Sequence, residues 1–171
     1  RTGEQVYNYT IGDFDSTQFP IPARLQKEII EAYKNGYTTY PAAEGELNLR
    51  KSVARFIEKY QDLRFDTGEI LIAAGGRPLI YALYRTLVDK GDKVIYPVPS
   101  WNNNHYVHFN EGEHILIECS RENNFMPTAA QLKPVLKDAT LLAVCSPLNP
   151  TGTVFNKEDL EAICDLILEE N

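Results

Sequence analysis

The sequence predicts an α/β protein built on a mostly parallel sheet with helices on both faces. From residue 69 onward, segments with the composition of strands alternate regularly with segments of helical periodicity. This alternation is typical of parallel strands joined by crossover helices. Residues 141–144 are apolar without alternation, as expected for a strand that is buried on both faces. An N-terminal arm and a helix are expected to precede the sheet.

The elements before the sheet follow from turn signals and apolar spacing. Residues 1–20 show little periodicity and predict an extended arm. A helix should begin near Pro22, because proline suits a first helical turn, and should end at Asn35-Gly36. A second helix is predicted over residues 46–60, with one apolar and one charged face. We therefore divide the chain into residues 1–45, the arm and first helix, and residues 46–171, the sheet region.

Four strands and four helices are predicted in the sheet region. Turn residues Gly91, Asp92 and Gly112 separate several of them. The predicted strands cover residues 69–73, 93–96, 113–118 and 139–145. The predicted helices cover residues 77–89, 101–110, 128–137 and 157–169.

Composition limits the classes of function. The chain has 171 residues, enough for one substantial domain, and its net charge of -7 argues against a general nucleic-acid binder. No signal peptide is expected, because the chain shows no basic amino-terminal segment followed by an apolar run. No membrane span is expected, because no apolar run approaches the ~20 residues that a span needs. The three cysteines lack a disulfide or metal pattern, which predicts free thiols and a cytoplasmic location.

A glycine pair marks a candidate anion site. Gly75-Gly76-Arg77 lies between a predicted strand and a predicted helix. Glycines let a ligand approach the backbone closely, and the free N–H groups of a helix start attract a phosphate. The third glycine of a dinucleotide fingerprint and the Gly-Lys-Ser/Thr of a P-loop are both missing. Taken alone, the glycine pair is weak evidence and favours a tight turn that binds no ligand.

Two further residues predict a site for a planar ring. Trp101 follows a strand and a proline-rich turn, and Asn149 follows the strand predicted over residues 139–145. An indole can stack on an aromatic ligand, and an amide can donate a hydrogen bond to a ring oxygen. Each residue also has a simpler interpretation, namely helix packing for Trp101 and a turn before proline for Asn149. Three strand ends converging on one sheet edge favour a shared site for a phosphorylated aromatic cofactor.

An ordered set of motifs resembles a known family. The motifs are Ile11-Gly12-Asp13-Phe14-Asp15, Gly36-Tyr37 with Tyr40 and Gly45, Leu49-Arg50, Gly75-Gly76-Arg77, Asp92-Lys93-Val94, Pro99-Ser100-Trp101 and Asn149-Pro150-Thr151-Gly152. On these motifs the chain, from Ile11 to Asn171, is similar to the amino-terminal portion of the class I/II aminotransferases, which are fold-type-I enzymes that use pyridoxal 5'-phosphate.

The resemblance implies a role for each matching position. The glycine turn, through the N–H groups of Gly76 and Arg77, is expected to bind the cofactor phosphate. Trp101 is expected to stack on the pyridine ring, and Asn149 to hydrogen-bond its phenolic oxygen. Tyr40 is expected to reach the phosphate of a neighbouring subunit, which implies a homodimer. The implied cofactor-binding residues are Gly75, Gly76, Arg77, Trp101, Asn149 and Tyr40, and the implied substrate-binding residues are Gly12, Trp101 and Asn149.

The resemblance also implies that the Schiff-base lysine lies beyond Asn171, so no catalytic residue is expected in this chain. The whole protein is then expected to transfer an amino group between an amino acid and a 2-oxo acid. Three features depart from the family pattern, namely the short arm around Gly12, the proline at position 78 (Pro78) and the asparagine at position 104 (Asn104). They bear on the choice of amino acid, which the sequence does not reveal.

Four alternatives stay open. They are a pyridoxal-phosphate lyase of the same fold, a non-catalytic ligand-binding domain, a DNA-binding regulator that carries such a domain, and a metal site at His105, His108 and His114. We do not expect the regulator, because this chain shows no basic or helix-turn-helix-like segment ahead of the domain. The metal site is disfavoured because no carboxylate or cysteine completes the histidine set.

Overall fold

The computed structural model describes residue 3 and residues 12–170. The other residues of the predicted arm, including Ile11 of the arm motif, lie outside the described part, as does Asn171. The chain divides into two compact units, one ending at Ile72 and the other beginning at Ala73. This division into compact units lies at a different position from the boundary that we predict after residue 45. The predicted boundary concerns the domains of the whole protein.

Two α-helices lie in the described part of the first unit, close to the predicted positions. Helix α1 spans Ala23–Lys34, directly after Pro22, and Asn35 caps its end. Helix α2 spans Leu47–Gln61, and the Glu46 side chain accepts a hydrogen bond from the N–H of Leu49 at its start. A carboxylate at this position satisfies one of the unpaired N–H groups of the first turn. Local signals were therefore sufficient to define both helices.

The apolar stripes of these helices are exposed in the described part of the chain. Leu25 is 52% exposed and Tyr33 69% on α1, and Phe56 is 58% exposed on α2. A helix stripe of this kind normally packs against another element, and exposed apolar patches mark surfaces that bind a partner or another segment. The stripes therefore identify the face on which each helix requires a covering element.

The prediction of a strand over residues 69–73 was wrong. A short 3-10 helix occupies Thr67–Glu69, and the N–H of Ile72 donates to the carbonyl oxygen of Glu44 at 3.0 Å. Gly45 packs against Ile72 so tightly that a Cβ at this glycine would lie 2.5 Å from the Ile72 Cβ. Extended residues form a strand only when a neighbouring strand pairs with them. In the described residues this segment pairs with a loop instead.

A three-stranded parallel sheet forms the second unit. Strand β1 (Lys93–Val98) lies in the centre, between β2 (Glu113–Glu118) and β3 (Ala139–Leu142). Strand β3 is shorter than predicted, although the N–H of Ala143 still donates to the carbonyl oxygen of Ile95 at 2.9 Å. The sheet confirms the α/β class and the parallel arrangement.

Four helices cover the sheet on both faces, as predicted. They are α3 (Gly76–Leu87), α4 (Asn103–Phe109), α5 (Ala129–Leu136) and α6 (Lys157–Glu170). Helix α4 begins two residues later than the sequence suggested, which leaves Trp101 in the preceding turn. No helix of residues 12–170 is long and apolar enough to cross a lipid bilayer.

The side chains of β1 alternate between two hydrophobic cores. Val94 and Tyr96 pack with residues of α3 and α4 on one face. Ile95 packs with Leu132 of α5 and Ile163 of α6 on the other face. Val94 and Ile95 are both fully buried. Successive residues of a strand point to opposite faces, so this one strand holds both helix layers against the sheet.

We predict that Ile95→Ala destabilises the protein by about 2–5 kcal/mol, because the lost side chain leaves a cavity between the sheet and two helices. Leu168→Ala, at a residue of α6 that is 77% exposed, is the matched control and should change stability by no more than about 0.5 kcal/mol. Urea unfolding measures both. Equal effects of the two variants would contradict the central position of β1.

Tyr84 is the buried polar anchor of the first core. Its side chain is 2% exposed, and its hydroxyl donates to the Asn103 Oδ1 atom at 3.0 Å. Burial, helped by the nearby Tyr96 and Tyr106, raises the pKa of Tyr84 to about 12, from 10.0. Between these two values the folded protein retains a proton that the unfolded chain has lost. Stability should therefore decrease as the pH rises from 10 to 12.

We predict that Tyr84→Phe removes this part of the pH dependence. The variant should be less stable than the wild type at neutral pH, because it leaves Asn103 without its donor. The stability difference should then shrink as the pH rises from 10 to 12, by at most about 1.4 kcal/mol per pH unit. Urea unfolding across this range measures the difference, and a constant difference would contradict the raised pKa.

Candidate functional site

A cavity of about 580 Å³ lies at the carboxyl ends of β1 and β3. Its size is suitable for a small cofactor. The walls are mainly apolar and come from one face of α3, the end of β1, the turn into α4 and the segment after β3. The lining residues are Ile80, Leu83, Tyr84, Pro97, Ser100, Trp101, Asn103, Tyr106, Leu141, Leu142, Ala143, Val144, Cys145, Leu148 and Asn149.

The predicted ring residues, Trp101 and Asn149, both line this cavity. Trp101 follows the end of β1 by three residues, and its side chain is 45% exposed, so part of the indole is accessible. Asn149 is also exposed. The two residues are 48 positions apart in sequence and meet because their strands are parallel neighbours.

A tight turn fixes Asn149 at the rim of the cavity. The N–H of Leu148 donates to the carbonyl oxygen of Thr153, and the N–H of Gly152 donates to that of Leu148, both at 2.7 Å. Leu148 is only 2% exposed and anchors the turn in the protein. Gly152 has a φ of 73°, which glycine adopts without strain. The motif Asn-Pro-Thr-Gly therefore presents its amide on a rigid support.

Polar contacts that the sequence did not suggest support the turn before α4. Asn103 accepts from the Tyr84 hydroxyl, and its amide nitrogen lies 3.5 Å from the Ser100 Oγ atom. These three residues line the cavity beside Trp101. The helical spacing of Ile80, Leu83 and Tyr84 was the available signal that Tyr84 faces the sheet. The partnership with Asn103, 19 positions away, had no local signature.

The glycine pair begins α3 in an open arrangement. Gly75 caps the helix with a φ of 111°, and Gly76 is its first residue. A Cβ at either glycine would meet no atom within 4 Å, so space is free beside the backbone. The first N–H groups of a helix have no intrahelical partner and attract an anion. These residues therefore fit a phosphate group, although they do not line the cavity.

Arg77 connects the start of α3 to the cavity wall. Its guanidinium lies over the Trp101 indole, with the Cζ atom 4.4 Å from the ring centroid. The turn predicted to bind an anion and the residue predicted to stack on a ring are thus in direct contact. The strand expected before this turn does not form, so the proximity comes from helix α3 packing beside α4.

The remaining predicted site residues belong to the first unit. Gly12 and Tyr40 are exposed, and their roles in substrate and phosphate binding stay predictions. The histidines make other contacts: the His114 Nδ1 atom lies 2.8 Å from the Tyr96 hydroxyl, and His105 and His108 lie beside Phe109. Among the described residues, no group of three metal-ligating side chains is close enough to hold an ion.

Known proteins similar to this chain are aminotransferases. The family model described as "Aminotransferase class I and II" matches residues 4–171. A probable aspartate/prephenate aminotransferase of Rickettsia felis is 34% identical over 87% of this chain and 37% of its own length. The aspartate aminotransferase of Bacillus sp. strain YM-2 is 32% identical over 90% of this chain and 40% of its own length.

Solved structures agree with the sequence comparisons. Thermus thermophilus aspartate aminotransferase with maleate has a TM-score of 0.83 at 29% identity, over 88% of this chain and 40% of that one. The chain spans about two fifths of the length of the curated relatives it matches. Because the family model covers nearly the whole chain, and because the fold agrees, this chain belongs to the class I and II aminotransferase family, whose members depend on pyridoxal 5'-phosphate.

Proposed function

We propose that the whole protein is a pyridoxal-phosphate-dependent aminotransferase and that this chain supplies much of its cofactor site. The observation that carries the proposal is the shared cavity of Trp101 and Asn149, next to the open helix start at Gly75 and Gly76. A ring-stacking indole, an amide and an anion-binding helix terminus match the three parts of the cofactor. Membership of the family supports the same assignment.

Each residue has a defined task in the proposed site. The N–H groups of Gly76 and Arg77 bind the phosphate at the start of α3, where the helix dipole favours negative charge. The Trp101 indole stacks on the pyridine ring and fixes its plane. The Asn149 amide donates a hydrogen bond to the phenolic oxygen and favours its anionic form, because a donor stabilises the charged acceptor.

Bound pyridoxal 5'-phosphate supplies an aldehyde carbon and an electron-withdrawing ring, which together labilise the bonds at the Cα atom of an amino acid. The residues of this chain bind and orient the reactants, and the apolar cavity walls exclude water from them. The proton transfer itself requires a base. Lys93 does not fill this role, because it begins β1, at the end of the strand away from the cavity, and lies 3.9 Å from Asp138.

The proposed substrates are an amino acid and a 2-oxo acid. Relatives with the names aspartate and aspartate/prephenate aminotransferase, and a related structure solved with the dicarboxylate maleate, support acidic substrates as the first to test. Transamination of aspartate with 2-oxoglutarate yields glutamate, whereas a lyase of the same fold would release ammonia or another fragment. The product therefore separates the two activities.

We also propose the larger organisation. Residues 1–45 contribute to a small domain and to a homodimer contact, and residues 46–171 form the first part of the large cofactor-binding domain. Tyr40, which is fully exposed, reaches the neighbouring active site of the homodimer. The exposed apolar stripes of α1 and α2 support contacts of this kind. The three cysteines are free, which supports a cytoplasmic location.

We predict that Asn149→Ala in the full-length protein weakens cofactor binding by about 10- to 100-fold, since a hydrogen bond to a charged group is lost. Trp101→Ala should also weaken binding, because the ring loses its stacking surface. Titration of the apoprotein with pyridoxal 5'-phosphate, followed by absorbance, measures the dissociation constant. Glutamate production from aspartate and 2-oxoglutarate measures the activity.

Asn48→Ala, at an exposed asparagine of α2, is the matched control and should retain the wild-type dissociation constant. Production of ammonia without glutamate would assign the lyase instead. Full activity and unchanged cofactor binding in Asn149→Ala would refute the proposed site.

A further inference from the structure

The side chain of Arg77 occupies one side of the Trp101 indole. Its guanidinium lies 4.4 Å from the ring centroid. Trp101 lines the 580 Å³ cavity and Arg77 does not. Arg77 instead lines a second cavity of about 500 Å³, together with Tyr81 and Phe109, and Trp101 does not line that one. Arg77 and Trp101 are thus in contact although they line different cavities.

The contact brings two planar groups together in a favourable way. A guanidinium within about 6 Å of an indole centroid is attracted by the negative ring face, and the flat cation can also stack on the ring. Trp101 lies in a turn before α4 and is 45% exposed, so helix packing alone does not enclose its ring. Arg77, at the start of α3, places a cation over this ring, and the contact opposes rotation of the indole.

We propose that Arg77 is a positioning residue whose side chain holds the Trp101 indole from outside the cavity, so that the indole presents its other surface to a planar ligand inside it. The residue then has two separate tasks. Its backbone N–H contributes to the anion site, and its side chain orients the ring that stacks on the ligand. The identity of the ligand rests on the proposed function, whereas the contact between Arg77 and Trp101 does not.

The position of Arg77 links the two proposed sites. One residue belongs to the first turn of α3 and also contacts Trp101, so it connects the anion site to the stacking surface. A ligand with a phosphate and a ring needs both at a constant separation. Orienting the groups before binding reduces the entropy that is lost when the ligand binds.

Tryptophan fluorescence tests the contact without any ligand. The full-length apoprotein is compared as wild type, Arg77→Met and Arg77→Lys, and the Trp101 signal is isolated by subtracting the spectrum of each protein that also carries Trp101→Phe. Arg77→Met should increase the acrylamide quenching of Trp101 and lower its fluorescence anisotropy. Arg77→Lys should lie between Arg77→Met and the wild type, because lysine keeps the charge but not the planar group.

Arg121→Met, at an exposed arginine on the 3-10 turn after β2, is the matched control and should leave the Trp101 signal unchanged. Circular dichroism and the melting temperature check that each variant is folded. Wild-type quenching and anisotropy in a folded Arg77→Met variant would overturn the proposal.

A double-mutant cycle tests the consequence for the ligand. Arg77→Met should weaken the binding of pyridoxal 5'-phosphate by about two- to fivefold, as expected for loss of an exposed cation–π contact. In the Trp101→Ala background the same substitution should have no further effect, since no indole remains to orient. An equal effect in both backgrounds would mean that the guanidinium acts on the phosphate directly, which overturns the positioning role.

The two proposals fail in distinguishable ways. If the wild-type protein does not bind pyridoxal 5'-phosphate, the proposed function fails, and the fluorescence comparison still decides the Arg77–Trp101 contact. If the wild type binds it and Arg77→Met changes neither binding nor fluorescence, the positioning role fails and the proposed function stands.

Discussion

The burial of β1 on both faces is the constraint on which the second unit depends. This strand pairs with β2 on one side and β3 on the other, and its alternate residues enter two different cores. Val94 and Ile95, adjacent in sequence, are fully buried on opposite faces. The strand therefore fixes the positions of four helices as well as those of its two neighbours. It also determines where the chain emerges from the sheet, which is where the candidate site lies.

The candidate site is a consequence of parallel strands ending at a common edge. Trp101 follows the end of β1, and Asn149 follows β3 after the extended segment that leads out of the sheet. Short backbone hydrogen bonds hold the turn of Asn149, and the contacts of Asn103 with Tyr84 and Ser100 support the turn of Trp101. Rigid turns keep the Trp101 indole and the Asn149 amide in place before a ligand binds, which is the main requirement of a cofactor site.

Local sequence patterns were sufficient for the helices and for most of the sheet. The spacing of apolar residues and the turn residues predicted α1 and α2 nearly to the residue, and the apolar run at β3 predicted a strand there. The expected burial of this strand on both faces was wrong for the described chain, because β3 is an edge strand with no fully buried residue, and Val144 after it is 45% exposed. The segment around Ile72 looked like a strand because strand composition is local, whereas pairing depends on a neighbour. Its N–H group bonds to the loop at Glu44. The motifs also named Trp101 and Asn149, but the supporting hydrogen bond between Tyr84 and Asn103 joins distant residues and had no local signal.

The most direct measurement is a crystal structure of the full-length protein with bound pyridoxal 5'-phosphate. Our account predicts the pyridine ring against the Trp101 indole, its phenolic oxygen within hydrogen-bond distance of the Asn149 amide, and its phosphate at the N–H groups of Gly76 and Arg77. A cofactor bound elsewhere, with the 580 Å³ cavity filled by protein side chains, would contradict it.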